Sequence, residues 1–244
     1  WPVTAIGHRV VHGGSQFHAP VRIDQEVLEV IRGLDRLAPL HNPMNRLGIE
    51  MAMTVWPDLP QVAVFDTAFH QTLPPHAYRY AVPGAWFADH GVRRYGFHGT
   101  SHQYVVSEAS RFMSRSVASL NLISLHLGSG ASATAIRGGL SIDTSMGMTP
   151  LEGLVMGTRP GDLDPGILPY LLRHGVSPDQ LDAELTQASG LMGLCGNSDM
   201  RSVQQSASAG DDDARIAVEM FCYRVKKYVG AYYAVLGRVD ALVF

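Results

Sequence analysis

The chain has 244 residues, 46% of them hydrophobic and 17% charged, with a net charge of −3 at neutral pH. That length and composition suit one large or two smaller globular domains, and the mild acidity argues against nucleic-acid or membrane-surface partners. Two cysteines, Cys195 and Cys222, are too few for a disulfide scaffold or a cysteine zinc site. No apolar run approaches the ~20 residues that span a bilayer, and a reducing, cytoplasmic setting is expected.

Among the 19 basic residues only Lys226 and Lys227 are lysines. Neither lies in a glycine-rich P-loop or on a kinase-type strand, which removes Walker-type NTPase and protein-kinase readings. Any phosphate handled by this chain falls to arginine and backbone N–H groups.

In chain order, Pro2 to Val11 is predicted as a strand carrying His8, Arg9 and His12, ended by Gly13-Gly14. His8 and His12 would lie about 13 Å apart along it, too far to share one metal ion. Arg9, just before a glycine turn, is either a site residue or a surface charge. Asp24 to Leu37 has the apolar spacing of a helix, with Asp24 as N-cap. A second helix opens at His41-Asn42-Pro43, with Asn42 as cap. His41, at that helix start, could meet an anion or merely cap. Gln61 to Phe65 is a short buried strand ending at Asp66, where carboxylates face the cleft of many α/β proteins or cap the next turn. Pro74-Pro75 and Pro83-Gly84 mark the expected domain crossover.

Tyr95 to His102, YGFHGTSH, concentrates histidines and hydroxyls before a helix that Thr100 or Ser101 is expected to cap. The stretch from Ile123 to Gly139, ISLHLGSGASATAIRGG, organises the chain. Its alternation predicts strands over Ile123 to Leu127 and Ser132 to Ile136, with a third from Leu140 to Asp143. The intervening Gly128-Ser129-Gly130 turn is either an ordinary hairpin turn or, with glycines at positive φ, an anion cradle. Ser145 to Pro165 is a broken loop containing Arg159, Glu152, Asp162 and Asp164; Arg159 beside Pro160 and Gly161 suits a phosphate clamp. Helices are expected over Asp164 to His174, Ser177 to Gln187 and Ala214 to Gly237. The last has Ile216, Met220, Val225, Val229 and Tyr233 as buried candidates. A glycine-rich turn is expected from Ser189 to Arg201, a flexible stretch over Ser206 to Asp213, and a strand from Asp240 to Phe244. With no methionine at Trp1 and an end inside a strand, the chain is expected to be an internal piece of a longer protein.

Taken together, HRVVHGG at His8, FDTAFHQTLP at Phe65, YGFHGTSH, HLGSGAS at His126 and MGTRPGDLDPG at Met156 resemble the acetate kinase family over essentially the whole chain. The resemblance implies an α/β fold of two ribonuclease-H-like domains of the actin, hexokinase and Hsp70 type, with the active site in the cleft between. Residues 1–68 would be the remaining part of the acyl-side domain, and 69–244 the nucleotide-side domain. It implies phosphoryl transfer from ATP to acetate, with Mg²⁺ or Mn²⁺, in a homodimer.

Carried over by residue, the resemblance makes Asp66 the catalytic aspartate, orienting Arg9 or the metal's water shell, and His98 and Arg159 transition-state stabilisers. Arg9 would bind substrate, with Val11, Leu40, Phe97 and Pro150 around the acetate methyl and His41 nearby. His126, Leu127, Gly128, Ser129 and Gly130 would hold ATP phosphates, and Asp199, Met200 and Arg201 would contact the nucleotide. No metal ligand is expected within these residues. Ser129 stands where the family commonly has asparagine, which would weaken one contact. Family segments expected before Trp1 and after Phe244 are missing, so the isolated piece is expected to be inactive. The rivals are a propionate or butyrate kinase, a non-catalytic nucleotide-binding module of the same fold, and a zinc hydrolase built on the eleven histidines.

Overall fold

Strand β1 (Ile6–Val10) lies parallel to a later strand, with Arg9 opposite Val64 and Val10 opposite Phe65. The computed structural model describes residues 2–39 and 41–244. Contacts divide the chain into two units: Trp1–Leu120 with Ile136–Asp143, and Asn121–Ala135 with Thr144–Phe244.

In the first unit, β2 (Val21–Arg22) leads into α1 (Gln25–Gly33), then α2 (Asn42–Val55) and β3 (Gln61–Phe65). The sheet order is β1-β3-β2, with β2 antiparallel to the central β3. Alternate residues of β3 (Gln61, Ala63 and Phe65) are buried. Ala63 and Phe65 join Val10, Ile23, Leu28, Ile31 and Ile49 in one apolar cluster. Each large side chain there stabilises the fold by about 1.5–3 kcal/mol, which fixes the C-terminal ends of β1 and β3 side by side.

Asp24 caps α1 as its sequence position suggests, accepting from the Val27 amide at 2.9 Å. The helix stops at Gly33, and Asp35–Leu37 forms a separate 3-10 turn. At α2 the expectation is corrected: His41 is the N-cap residue, without a side-chain cap bond, and the Asn42 side chain turns to the strand-end backbone instead.

The proline-rich stretch forms α3 (Pro75–Tyr78) and α4 (Gly84–His90), and α5 (Gly99–Met113) follows. All three lie inside the first unit, whose first segment ends at Leu120. His98, at φ 60°, is the N-cap residue of α5, and Thr100 and Ser101 are within the helix rather than capping it.

The meander forms as expected: β4 (Asn121–Leu127), β5 (Ala131–Arg137) and β6 (Leu140–Thr144), with Gly138 and Gly139 at positive φ in the second turn. The strand order is β6-β5-β4-β7, and the unit division runs through the β5–β6 hairpin. The second unit continues with α6 (Ile167–Arg173), α7 (Pro178–Gln187), α8 (Gly190–Cys195), α9 (Met200–Ser208), α10 (Asp212–Leu236) and β7 (Ala241–Val243). β7 pairs parallel to β4, Leu122 opposite Ala241.

Two expectations fail here. Ser206–Ser208 is helical, with Asp211 capping α10 through the Ala214 amide at 3.0 Å. On α10 the buried residues are Ala214, Ala217, Tyr232 and Leu236, whereas Ile216, Met220 and Tyr233 are exposed. The small side chains let α10 join Val155, Leu191 and Val203 in the second core, which a count of large apolar residues does not reveal. Among the described residues no helix is long and apolar enough to cross a membrane.

Candidate functional site

In the first unit, the parallel pairing brings Arg9 and Asp66 together at the C-terminal ends of β1 and β3, where the Asp66 amide donates to the Val10 carbonyl at 3.0 Å. Arg9 grips Asp66 with two parallel bonds, Nε to Oδ1 at 3.0 Å and Nη2 to Oδ2 at 2.5 Å. Asp66 is buried at 1% side-chain exposure, and Arg9 is 63% exposed. The hydrogen bond from Arg9 to Asp66 raises the arginine's pKa further. Two of the five guanidinium N–H groups are consumed, and the other three are available to an oxyanion.

Around this pair the backbone is held by the side chains of Asn42, expected as a cap, and of Asn45 and Thr67. Asn42 accepts from the His12 amide and donates to the His12 carbonyl, both at 3.0 Å, and Asn45 accepts from the Val11 amide at 3.0 Å. Thr67 accepts from the Gly13 amide at 3.0 Å. The two asparagines, spaced i and i+3 at the start of α2, face one side of the helix; that spacing was the available signal.

Segment 97–100 is fastened to segment 66–70 at three points. His70 Nε2 bonds the Phe97 carbonyl at 2.9 Å, the Gly99 amide donates to the Asp66 carbonyl at 2.8 Å, and the Thr100 hydroxyl donates to Asp66 Oδ1 at 3.1 Å. A Cβ on Gly99 would sit 2.3 Å from the Asp66 carbonyl oxygen, so only glycine permits this approach. His98 is thereby held at a left-handed backbone angle beside Asp66.

His12 and His70 are fully buried, and burial pushes each pKa down to about 4. His12 Nδ1 accepts from the Gly14 amide at 3.0 Å, so in the neutral ring Nε2 carries the proton, and that atom has no hydrogen-bond partner. The ring stands edge-on to Tyr95 at 4.5 Å and Phe97 at 5.6 Å between centroids. Val11 and Phe97, two residues expected around a methyl group, are thus neighbours of His12. Pro150 belongs to the second unit, and Leu40 lies outside the described residues. His41 is half-buried at the head of α2.

The histidines do not assemble as a metal site. His8 bonds Gln61 at 2.7 Å, and among the described residues no three His, Cys, Asp or Glu side chains group to hold an ion.

In the second unit, the Gly128-Ser129-Gly130 turn is exposed through Ser129, but its geometry differs from the expected cradle. Neither glycine has positive φ, and the Gly128 amide is engaged by the Gly130 carbonyl at 3.0 Å. The Gly157 amide donates to the Ser129 carbonyl at 3.0 Å. A Cβ on Gly157 would meet Ser198 O at 3.2 Å and Ser129 O at 3.4 Å, so this glycine lets the turn, its own loop and the segment before α9 come together. His126 to Gly130 and Asp199 to Arg201 are therefore brought to one place. There Asp199 caps α9 through the Arg201 amide at 2.8 Å and is paired with the Arg201 side chain at 3.0 Å. Hydrogen bonding by Arg201 lowers the Asp199 pKa.

Arg159 lies in the Gly157 loop, which the first turn of α8 secures: the Leu191 amide donates to Met156 O, and the Met192 amide to Gly157 O, both at 2.9 Å. The guanidinium is half-buried, burial lowers its pKa, and among the described residues no carboxylate pairs with it. A desolvated arginine without an acid suits an incoming anion. Asp162, by contrast, is structural. Its Oδ1 takes the Gly153 amide at 2.9 Å, and its carboxylate receives the Tyr228 hydroxyl at 3.0 Å and Arg224 at 3.4 Å.

A sequence model of the Acetokinase family matches residues 2–244. Among similar proteins are the acetate kinases of Sulfurovum sp. (strain NBC37-1), 58% identical over 99% of this chain and 61% of its own length, and of Arthrobacter sp. (strain FB24), 58% identical over 98% and 62%. Among solved structures, Porphyromonas gingivalis acetate kinase superposes with a TM-score of 0.95 at 46% identity, covering 99% of this chain and 61% of that one. A propionate kinase from Francisella tularensis subsp. tularensis SCHU S4 gives 0.96 at 49%, covering 99% and 62%. The chain thus spans about 60% of the length of these proteins.

Proposed function

The chain belongs to the acetokinase family, and from that membership we propose that it is part of an acetate kinase, transferring the γ-phosphoryl group of ATP to acetate. The observation that carries the reading is the Arg9–Asp66 pair: a buried carboxylate holds an exposed arginine by two bonds and leaves three donors facing outward. A bound acetate carboxylate is recognised by such a fork.

An acetate oxygen attacks the γ-phosphorus in line, the new O–P bond forms, and the bond to the β-phosphate oxygen breaks with ADP leaving. Acetate is already ionised at neutral pH, so no proton has to move, and the protein's task is positioning and charge neutralisation. Arg9 takes the carboxylate, Asp66 fixes Arg9, and Val11 and Phe97 border the methyl group; Leu40, His41 and Pro150 carry over from the family resemblance as further acyl-side residues. His98 and Arg159 stabilise the transferring phosphoryl group; the desolvation of Arg159 strengthens that interaction. Residues 126–130 and 199–201 hold the nucleotide.

Mg²⁺ enters with ATP as part of the co-substrate. Both oxygens of Asp66 are already engaged by Arg9 and Thr100, which favours a metal carried on the phosphates over one resident on this carboxylate. We further propose the finer architecture of two ribonuclease-H-like domains, acyl side first and nucleotide side second. The antiparallel meander β4–β6 continued by a parallel β7 supports this reading for the second. A cytoplasmic homodimer of the relatives' full length completes the proposal, and the present residues alone are inactive.

The likeness to a propionate kinase favours a second reading, since one methylene is worth only about 1–3 kcal/mol of discrimination. The test is hydroxylamine trapping of acyl phosphate by the full-length protein supplied with MgATP and acetate, propionate or butyrate. Hydroxamate formation lost on Arg159→Ala supports the kinase, and the rates rank the acids. ATP binding without hydroxamate would identify a non-catalytic module.

A further inference from the structure

We propose that Thr100 is a positioning residue for Arg9, acting through Asp66, and that it sets the affinity for the carboxylate co-substrate; this rests on the kinase reading above. Three donors converge on the buried Asp66 carboxylate. Arg9 Nη2 goes to Oδ2, whereas Oδ1 is shared by Arg9 Nε at 3.0 Å and the Thr100 hydroxyl at 3.1 Å. Arg9 is mostly exposed, and Asp66 is its ion-pair partner among the described residues, so the carboxylate plane dictates where the guanidinium stands. The anchor of that plane independent of Arg9 is Thr100, at Oδ1.

The anchoring is specific in its geometry. Thr100 lies in the first turn of α5, and the preceding Gly99 amide bonds the Asp66 main-chain carbonyl at 2.8 Å. Asp66 is thus held at its backbone and at its carboxylate by consecutive residues of one helix start. A β-branched residue there has few rotamers to choose from, which keeps the hydroxyl aimed. The hydroxyl donates to Asp66, where a simple helix-starting threonine would bond its own backbone. Without it, the carboxylate can swing about its last bond and carry the exposed arginine with it. The three outward N–H groups then lose their fixed direction, and the carboxylate pays the ordering cost on binding.

The experiment uses the full-length protein with Thr100→Val, which keeps shape and removes the hydroxyl, and Thr100→Ser, which keeps the hydroxyl. Thr100→Val is expected to raise KM for acetate about tenfold, the scale of one charge-assisted hydrogen bond, with KM for MgATP unchanged. Thr100→Ser stays within about twofold of wild type. In an Arg9→Ala background, Thr100→Val has no further effect on acetate KM, a coupling that a merely structural residue would not show. An unchanged acetate KM in Thr100→Val, or an undiminished effect without Arg9, overturns the proposal. A wild type that forms no acyl phosphate overturns the kinase reading instead. Positioning is then read from hydrogen exchange at Arg9 Nε, expected to be about tenfold faster in Thr100→Val; equal rates overturn it. Should Thr100→Val melt early, Thr100→Ala carries the same comparison.

Discussion

Gly99 and Asp66 touch through their main chains: the Gly99 amide donates to the Asp66 carbonyl at 2.8 Å, in a space where a Cβ would come within 2.3 Å of that oxygen. Gly99→Ala is therefore expected to push α5 off segment 66–70. The overpacking costs about 1–3 kcal/mol, measurable as a lower urea midpoint at unchanged m-value. Activity of the full-length protein should fall further than stability accounts for, because Thr100 and His98 move with the helix start. A variant as stable and active as wild type would show that the contact is slack.

Asp66→Asn keeps the shape of a buried side chain but removes the charge that Arg9 grips. In the full-length protein, acetate kcat/KM is expected to fall about 100-fold, the worth of two charge-assisted bonds whose loss frees the arginine. Because Arg9 is mostly exposed, the stability change is expected to stay near 1 kcal/mol or below. Steady-state kinetics beside thermal melts separates the two, and a large stability loss with unaltered kinetics contradicts the assignment.

His12 and His70 give the first unit an acid limit. Both have folded-state pKa values of about 4, below the ordinary 6.5, because burial disfavours the charged ring. The unfolded chain then binds more protons between pH 6.5 and 4, so stability is full above pH 6.5 and declines as pH falls toward 4. The fall is of order 3 kcal/mol for each ring. His12→Asn keeps an acceptor for the Gly14 amide without a titrating ring, and its urea midpoint should drop less between pH 7 and pH 5 than that of wild type. Parallel pH slopes would mean that His12 does not titrate in this window.

Gly157→Ala places a methyl group against Ser198 O and Ser129 O, at 3.2 and 3.4 Å. A shift of a few tenths of an ångström at the turn is expected to raise KM for ATP several-fold, worth about 1 kcal/mol, while KM for acetate holds. A uniform loss in both would assign the glycine to general folding.

The strand ends were legible because apolar alternation and a following acid or glycine are local signals: Gln61–Phe65 with Asp66 stands as the pattern placed it, and Asp24 caps as its position implies. Asn42 was misread because a cap and a cross-chain bond draw on the same amide, and only the unpaired backbone of His12 decides between them. Thr100 was misread for the same reason, its partner lying 34 residues away. On α10, Ile216 and Met220 were expected inside, yet the helix buries Ala214 and Ala217, a choice set by how closely α9 and α8 approach. The Gly128-Ser129-Gly130 turn was placed correctly in the chain, but neither glycine takes positive φ, and the bond from the Gly157 amide to the Ser129 carbonyl is one that no local pattern encodes.

That last bond bears on how this end of the protein can change over time. The Gly157 amide is tied to the carbonyl of Ser129, and every amino acid offers a carbonyl. The turn's location is therefore inherited through the main chain, and position 129 can drift among small polar residues without the loop losing its place. The burden falls on position 157, where any side chain would be felt at residues 129 and 198 at once. A lineage can retune what the turn presents by changing residue 129, while a change at position 157 displaces two segments together.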